Sequence, residues 1–239
     1  MICGLQPVRE AIAAHGPRLL RVLVSNQEGS PQLDALARFA TDRGATAERV
    51  ARSELDKLAR GAKHQGAVAI ALLLDVHTLE AIVIEPTTLV VALDELEDPQ
   101  NFGAIVRSAV AMGATAVMWP EHRSAPLSPA VFRASAGAVE HATLVCVPGL
   151  PHALSELKAN GASIVGLDAN GSVRIDEVEL KGPVVLVVGA EGKGLRKTVR
   201  ATCDVVARLP MSGPIASLNA SVSAAIALYE VRRQRATSE

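Results

Sequence analysis

The chain has 239 residues, 49% of them apolar and only 2% aromatic, with a formal net charge of −1. That length allows one large domain or a small one followed by a medium one, with a sizeable aliphatic core of the kind that suits a parallel sheet under helices. The near-neutral charge argues against a sequence-blind nucleic-acid coat and leaves room for a local basic patch.

The first block alternates helix and strand. Pro7 to Ala14 reads as a short helix with proline near its first turn, and Leu19 to Val24 as a strand. Pro31 to Asp42 is amphipathic, with Leu33, Leu36, Ala37 and Ala40 on one side. Ser53 to Arg60 is a further helix, and the apolar run Ala67 to Leu74 suits a buried strand. Together residues 1–75 form a small α/β domain. Residues 76–87 read as a linker, with a helical turn from Leu79 to Val83.

From residue 88 to 239 a second series begins. Strands are predicted at Leu89–Leu93, Ala116–Trp119, Thr143–Val147, Ser163–Leu167, Val184–Val188 and Val205–Leu209. Helices are predicted at Gln100–Ala111, Ala130–Val139, Pro151–Asn160, Leu195–Ala201 and about Leu218–Gln234. Apolar strands alternating with helices make this an α/β domain with a parallel sheet covered on both faces.

Cys3, Cys146 and Cys203 are odd in number and far apart, which excludes a disulfide framework and a zinc knuckle. They read as idle thiols in a reducing cytoplasm. The six histidines show no metal-ligand spacing, so no metal is expected. The N-terminus lacks a signal-peptide pattern and no apolar run approaches 18 residues, so no membrane partner is expected.

In open α/β sheets, ligands bind beyond the carboxyl ends of strands, so the loops there carry the interest. After Leu93 comes a stretch in which Asp98-Pro99 is a cap and first turn, Asn101 follows within that turn, and Arg107 lies six residues on. Arg107 is either a solvated surface arginine or, given its apolar neighbours Ile105, Val106, Ala109 and Val110, a purposeful charge. After Val188, three glycines surround Glu191. This is either an ordinary turn or a close backbone approach to a ligand. Its spacing fits neither the P-loop nor G-x-G-x-x-G, because Lys197 stands where the last glycine would be. After Leu209, a loop rich in proline and small polar residues precedes an apolar helix. Ser217 is its candidate N-cap, and the helix start could also receive an anion. HExxH, paired CxxC and GxSxG are all absent.

In order, DPQNFGAIVRSA, VVGAEGKGL and LPMSGPIASLNASVSAAI resemble the three motifs of the SpoU/TrmH branch of the SPOUT RNA methyltransferases, over about residues 88–237. The N-terminal block, with His64-Gln65-Gly66 before its last strand, is similar to the L30e-like RNA-recognition domain of the bacterial 23S rRNA guanosine 2′-O-methyltransferases. The resemblance implies a trefoil knot in the C-terminal parallel-sheet domain, S-adenosyl-L-methionine as cofactor, RNA as substrate, and a homodimer. Matched position by position, it implies catalytic or positioning roles for Asn101, Arg107, Glu191, Ser217 and Asn219. It implies cofactor contacts at Gly189, Leu209 and Leu218, with Leu167, Met211, Glu191, Gly192 and Asn219 as further candidates. Phe102 departs mildly, standing where a smaller aliphatic is expected. The activity implied is methyl transfer to a ribose 2′-hydroxyl, of 23S rRNA guanosine in the first instance. A tRNA substrate and a non-catalytic RNA-binding role are the alternatives. A Rossmann enzyme would need a glycine-rich turn after its first strand, which neither block has.

Overall fold

The computed structural model describes residues 1–27, 30–71, 74–192, 194–214 and 217–236. The chain divides into two compact units. One comprises Met1–Asp75 with Leu127–His141, the other Val76–Pro126 with Ala142–Glu239.

In the first unit, β1 (Ile2–Cys3), α1 (Leu5–His15), β2 (Arg21–Ser25), α2 (Pro31–Asp42), β3 (Ala47–Val50), α3 (Arg52–Ala59) and β4 (Ala67–Ile70) follow in turn. The strands order β1-β4-β2-β3, with β2 parallel to β3 and antiparallel to β4. Val22 and Val24 face a core shared with Val8, Ile12, Leu33 and Leu36 on one side of the sheet. Leu23 and Val68 pack with Leu55 and Ala59 on the other. Alternation along β2 thus serves both layers. The predicted strand Ala67–Leu74 is observed as Ala67–Ile70, and its positions Leu72 and Leu73 lie outside the described residues.

In the second unit, β5 (Val76–His77) is a short edge strand in the stretch predicted as linker. Then come β6 (Leu89–Asp94), α4 (Pro99–Ala111) and β7 (Ala116–Pro120). The helix predicted over 130–139 is shorter: α5 spans Pro129–Ala134, and a left-handed break at Ala136 and Gly137 stops it. That segment belongs with the first unit. Phe132 packs against its core, and a Cβ on Gly137 would lie 2.6 Å from that of Glu10. His15 pairs with Glu140 at 2.5 Å, and His141 with Glu10 at 3.0 Å.

The second unit resumes with β8 (Leu144–Val147), α6 (Leu150–Ala159), β9 (Ser163–Leu167), β10 (Val173–Arg174), β11 (Val184–Gly189), α7 (Lys197–Thr202), β12 (Val205–Arg208) and α8 (Ala220–Ala236). Its eight strands order β10-β12-β9-β11-β6-β7-β8-β5, and every pairing is parallel. Helices α6 and α7 bury Leu150, Leu154, Leu157 and Val199 against one face. On α4, Phe102, Ile105, Val106 and Ala109 are fully buried, and α4 packs beside α8. Phe102 fits because its ring meets Trp119 of β7 edge-on, with centroids 5.4 Å apart.

Chain order and sheet order part company at the carboxyl end. Strand β11 lies between β9 and β6, while the next strand, β12, crosses to the far side of β9. The turn leaving β9 passes directly over β12: a Cβ on Gly171 would stand 2.4 Å from the Ala207 carbonyl carbon. The Asp168 N–H donates to the Ala207 carbonyl at 3.0 Å, and Arg208 Nη1 donates to the Gly171 carbonyl at 2.8 Å.

Candidate active site

The loops after β9, β11 and β12 open onto one cavity of about 620 Å³. Its walls include Leu167, Leu209, Met211 and Leu218, Gly189 and Gly192, and Asp168, Glu191 and Ser217. That volume lies in the range of pockets that enclose a nucleoside-sized ligand.

The glycines are there because backbones cross. A Cβ on Gly189 would sit 2.3 Å from the carbonyl carbon and oxygen of Gly194, so only hydrogen fits. The same turn closes with the Gly194 N–H donating to the Ala190 carbonyl at 2.9 Å, and Gly192 and Gly194 take φ of 76° and 64°. Lys193, between them, lies outside the described residues.

Three residues far apart in sequence meet beside this cavity. The Asn101 amide donates to a Glu191 carboxylate oxygen at 3.2 Å. The Asn219 amide donates to the Asn101 carbonyl oxygen at 2.9 Å and to the same Glu191 oxygen at 3.2 Å. Each partner is set by its own element. Asp98 caps α4, accepting from the N–H groups of Gln100 and Asn101, which places Asn101 in the first turn. Asn219 begins α8, its side-chain oxygen accepting from the Ser221 N–H at 2.9 Å. The cap expected at Ser217 is therefore Asn219, since the helix starts at Ala220 rather than near 218. Ser217 instead lines the cavity. Ile215 and Ala216 of the same loop lie outside the described residues.

Not every expected residue converges. Asn101 and Asn219 stand beside the cavity through Glu191 rather than in its wall. Arg107 is exposed and absent from the wall, and its side chain makes no hydrogen bond or ion pair with any described residue. Sequence reasoning missed Asp168 and Asn170, which line the cavity just after β9. The rule that ligands bind beyond strand carboxyl ends would have found them, had it been applied to this strand too. The Asp168 carboxylate pairs with Arg200 at 2.8 Å and accepts from the Asn170 N–H at 2.8 Å.

The cavity chemistry suits S-adenosylmethionine. Aliphatic walls at Leu167, Leu209 and Leu218 suit an adenine ring, main-chain polar groups at 189–192 suit directional bonds, and the Glu191 carboxylate suits a cationic ligand, whereas that of Asp168 is already paired with Arg200. No group of three His, Cys, Asp or Glu able to hold a metal occurs among the described residues.

The family model described as "SpoU rRNA Methylase family" matches residues 88–229, which contain the whole cavity and all three members of the Asn101–Glu191–Asn219 cluster. The chain belongs to the SpoU methylase family. A second family model, "RNA 2'-O ribose methyltransferase substrate binding", matches residues 1–72. Among curated relatives, a protein of Mycolicibacterium vanbaalenii described as an uncharacterized tRNA/rRNA methyltransferase is 38% identical, covering 98% of this chain and 76% of its own. A crystal structure described as an RNA 2′-O ribose methyltransferase superposes with a TM-score of 0.82 at 31% identity, over 98% of this chain and 88% of that one. The SpoU methyltransferase AviRb from Streptomyces viridochromogenes, solved with AdoMet, gives a TM-score of 0.80 at 27% identity, over 99% and 90%. This SpoU family member is thus an S-adenosylmethionine-dependent RNA methyltransferase.

Proposed function

We propose that the protein methylates a ribose 2′-hydroxyl of RNA, with a guanosine of 23S rRNA as the first candidate, as in the 23S rRNA guanosine 2′-O-methyltransferases. The convergence of Asn101, Glu191 and Asn219 beside the cavity carries this reading. S-adenosylmethionine supplies an electrophilic methyl group on a sulfonium. Leu167, Leu209, Leu218, Met211, Gly189 and Gly192 would hold it. Glu191, Asn101 and Asn219 fix the loop and the last helix, so that the acceptor hydroxyl meets a preset geometry. Arg107 holds the adjacent phosphate and stabilises the developing alkoxide. Guanidinium is protonated at working pH, so this electrostatic part suits it better than proton removal. The family match of the first unit supports an RNA substrate gripped outside the cavity-bearing unit.

A homodimer completes the reading. Helix α8 is apolar on two sides. Ala224, Ala227, Leu228 and Val231 face inward, while Val222, Ile226 and Tyr229 form an exposed stripe. That stripe borders a groove of about 430 Å³ with Ala104 and Ser108 of α4, the helix that bears Arg107. A second copy docked there would cover the stripe and bring its own cavity beside Arg107. The crossing at Gly171 supports the threaded, knotted chain that the family resemblance implies. A cytoplasmic location fits an rRNA substrate, and no helix among the described residues is long and apolar enough to cross a membrane.

The test is methyl transfer from tritiated S-adenosylmethionine to undermodified 23S rRNA and to tRNA, with the product mapped by resistance to alkaline cleavage. Label on a 23S guanosine ribose is expected. Label on a base, or on tRNA alone, would replace this reading.

A further inference from the structure

We propose that Arg9, Phe39 and Arg43 form a phosphate-binding face by which the first unit grips the sugar–phosphate backbone of the RNA substrate. The inference rests on the RNA-methyltransferase reading and adds the surface that does the gripping.

Two guanidinium groups share one ring. Arg9, from α1, places Cζ 4.1 Å from the Phe39 ring centroid, and Arg43, just past α2, places its own at 5.1 Å. Phe39 is half-buried, with part of its ring packed against the core of the unit. The ring is therefore a fixed platform, while both arginines remain exposed.

What sets this pair apart is the shared ring. Several other cations of the unit, Arg18, Arg38, Arg52, Lys57, Arg60, Lys63 and Arg133, also lack an ion pair among the described residues, but only Arg9 and Arg43 are gathered on one aromatic platform there, whereas Arg21 and Arg49 meet Glu48 and Asp34. Neither Arg9 nor Arg43 has a carboxylate within ion-pair distance among the described residues. Glu10, next to Arg9 in sequence, is engaged by Gln6 and His141. Asp42, next to Arg43 in sequence, forms no ion pair with it among the described residues.

Two exposed guanidinium groups held 4.1 and 5.1 Å from one ring centre concentrate positive charge locally, and a phosphate beside them is attracted by both. A guanidinium lying on a ring keeps its N–H edge free, and that edge matches two phosphate oxygens. With a chain net charge of −1, affinity for a polyanion must come from such a local concentration rather than from the overall field. The face lies wholly within the unit that matches the substrate-binding family model.

The experiment measures binding of the full-length protein to an unmodified in vitro transcript of 23S rRNA, across salt from about 50 to 200 mM. Arg9→Ala/Arg43→Ala should weaken binding about tenfold at the higher salt. It should also make the slope of log affinity against log salt shallower by about two, one for each phosphate contact. Arg9→Lys/Arg43→Lys should keep the slope, because the charges remain. Phe39→Leu, which still fills the core, should weaken binding by freeing both arginines. Circular dichroism and a thermal melt of each variant report that the first unit has folded, and S-adenosylmethionine affinity reports the second. Unchanged RNA affinity and slope in the double alanine variant, with wild type binding and methylating the transcript, would overturn this inference alone. Failure of the wild type to bind or methylate any RNA would overturn the function reading with it.

Discussion

Asp94 and Arg196, 102 residues apart, lock the ends of two neighbouring strands together. Asp94 closes β6 opposite Gly189 of β11, and its carboxylate is wholly shielded from solvent. It accepts from the Arg196 main-chain N–H at 2.8 Å and from Nε at 2.6 Å, while Nη1 of the same arginine reaches Glu95 at 3.1 Å. The loop that carries Glu191 is thereby anchored at its far end. Asp94→Asn leaves a half-buried arginine short of its charge partner. A loss of about 2 kcal/mol is expected, reduced from the fully buried case because Arg196 retains solvent contact. Urea unfolding should show it, together with weaker S-adenosylmethionine binding by calorimetry.

Asn219 has two separable tasks, capping α8 and bonding to Asn101 and Glu191. Asn219→Ala should lose about 1 kcal/mol of stability with the cap and most of the methyl-transfer rate. Serine caps as well as asparagine but is too short to replace the amide bonds. Asn219→Ser should therefore melt near the wild-type temperature and remain slow. If its turnover recovers along with its stability, the cluster serves only the helix.

Arg107 carries no structural duty among the described residues, so its removal isolates its chemistry. Arg107→Ala should keep wild-type stability and cofactor affinity while turnover falls about 100- to 1,000-fold, the range for losing one oxyanion-type donor. Single-turnover kinetics with saturating cofactor measures this. Undiminished turnover removes Arg107 from the mechanism.

Gly189 tests the backbone crossing. Gly189→Ala drives a methyl group into main-chain atoms of Gly194 that cannot rotate away, and a loss of about 3 kcal/mol is expected, along with cofactor binding. Gly182 faces open space, so Gly182→Ala should change stability by less than about 0.5 kcal/mol. Thermal melts of the two variants side by side make the comparison.

The Cys203 thiol is pushed up to about 11, by burial first and then by the neighbouring Asp204. Its folded value lies above its unfolded one. Its favourable contribution is therefore complete below the unfolded value and is lost as pH rises towards about 11. At pH 8 its thiolate fraction should be about 100-fold below that of an unshifted thiol. Iodoacetamide labelling, read by peptide mass spectrometry, should be correspondingly slow until urea unfolds the chain.

Much of the second unit is written in local pattern. Strands β6, β7, β9 and β11 are apolar runs buried on both faces, so their identity does not depend on knowing their neighbours. Asp98-Pro99 states its own cap and first turn, and the structure has both. The elements that escaped are those defined only by a partner. Strands β1, β5 and β10 are two residues long, and β3 is half-exposed and carries Glu48 and Arg49. None has room for a period, and each exists because a distant strand supplies its hydrogen bonds.

By itself the sequence determined that the C-terminal part of the chain forms a helix-covered parallel sheet, and which loops hold its unusual residues, because periodicity and capping act within a few positions of the chain; it did not set the bounds, since Val76–His77 joins that sheet and Leu127–His141 joins the first unit. Tertiary structure alone decided that Asn101, Glu191 and Asn219 touch, that Asp168 joins the cavity, and that residues 127–141 pack with the first unit. Those outcomes turn on which strand inserts beside which, and on whether two backbones can come close enough to exclude a Cβ. Contacts across ninety or more residues leave no trace in local spacing.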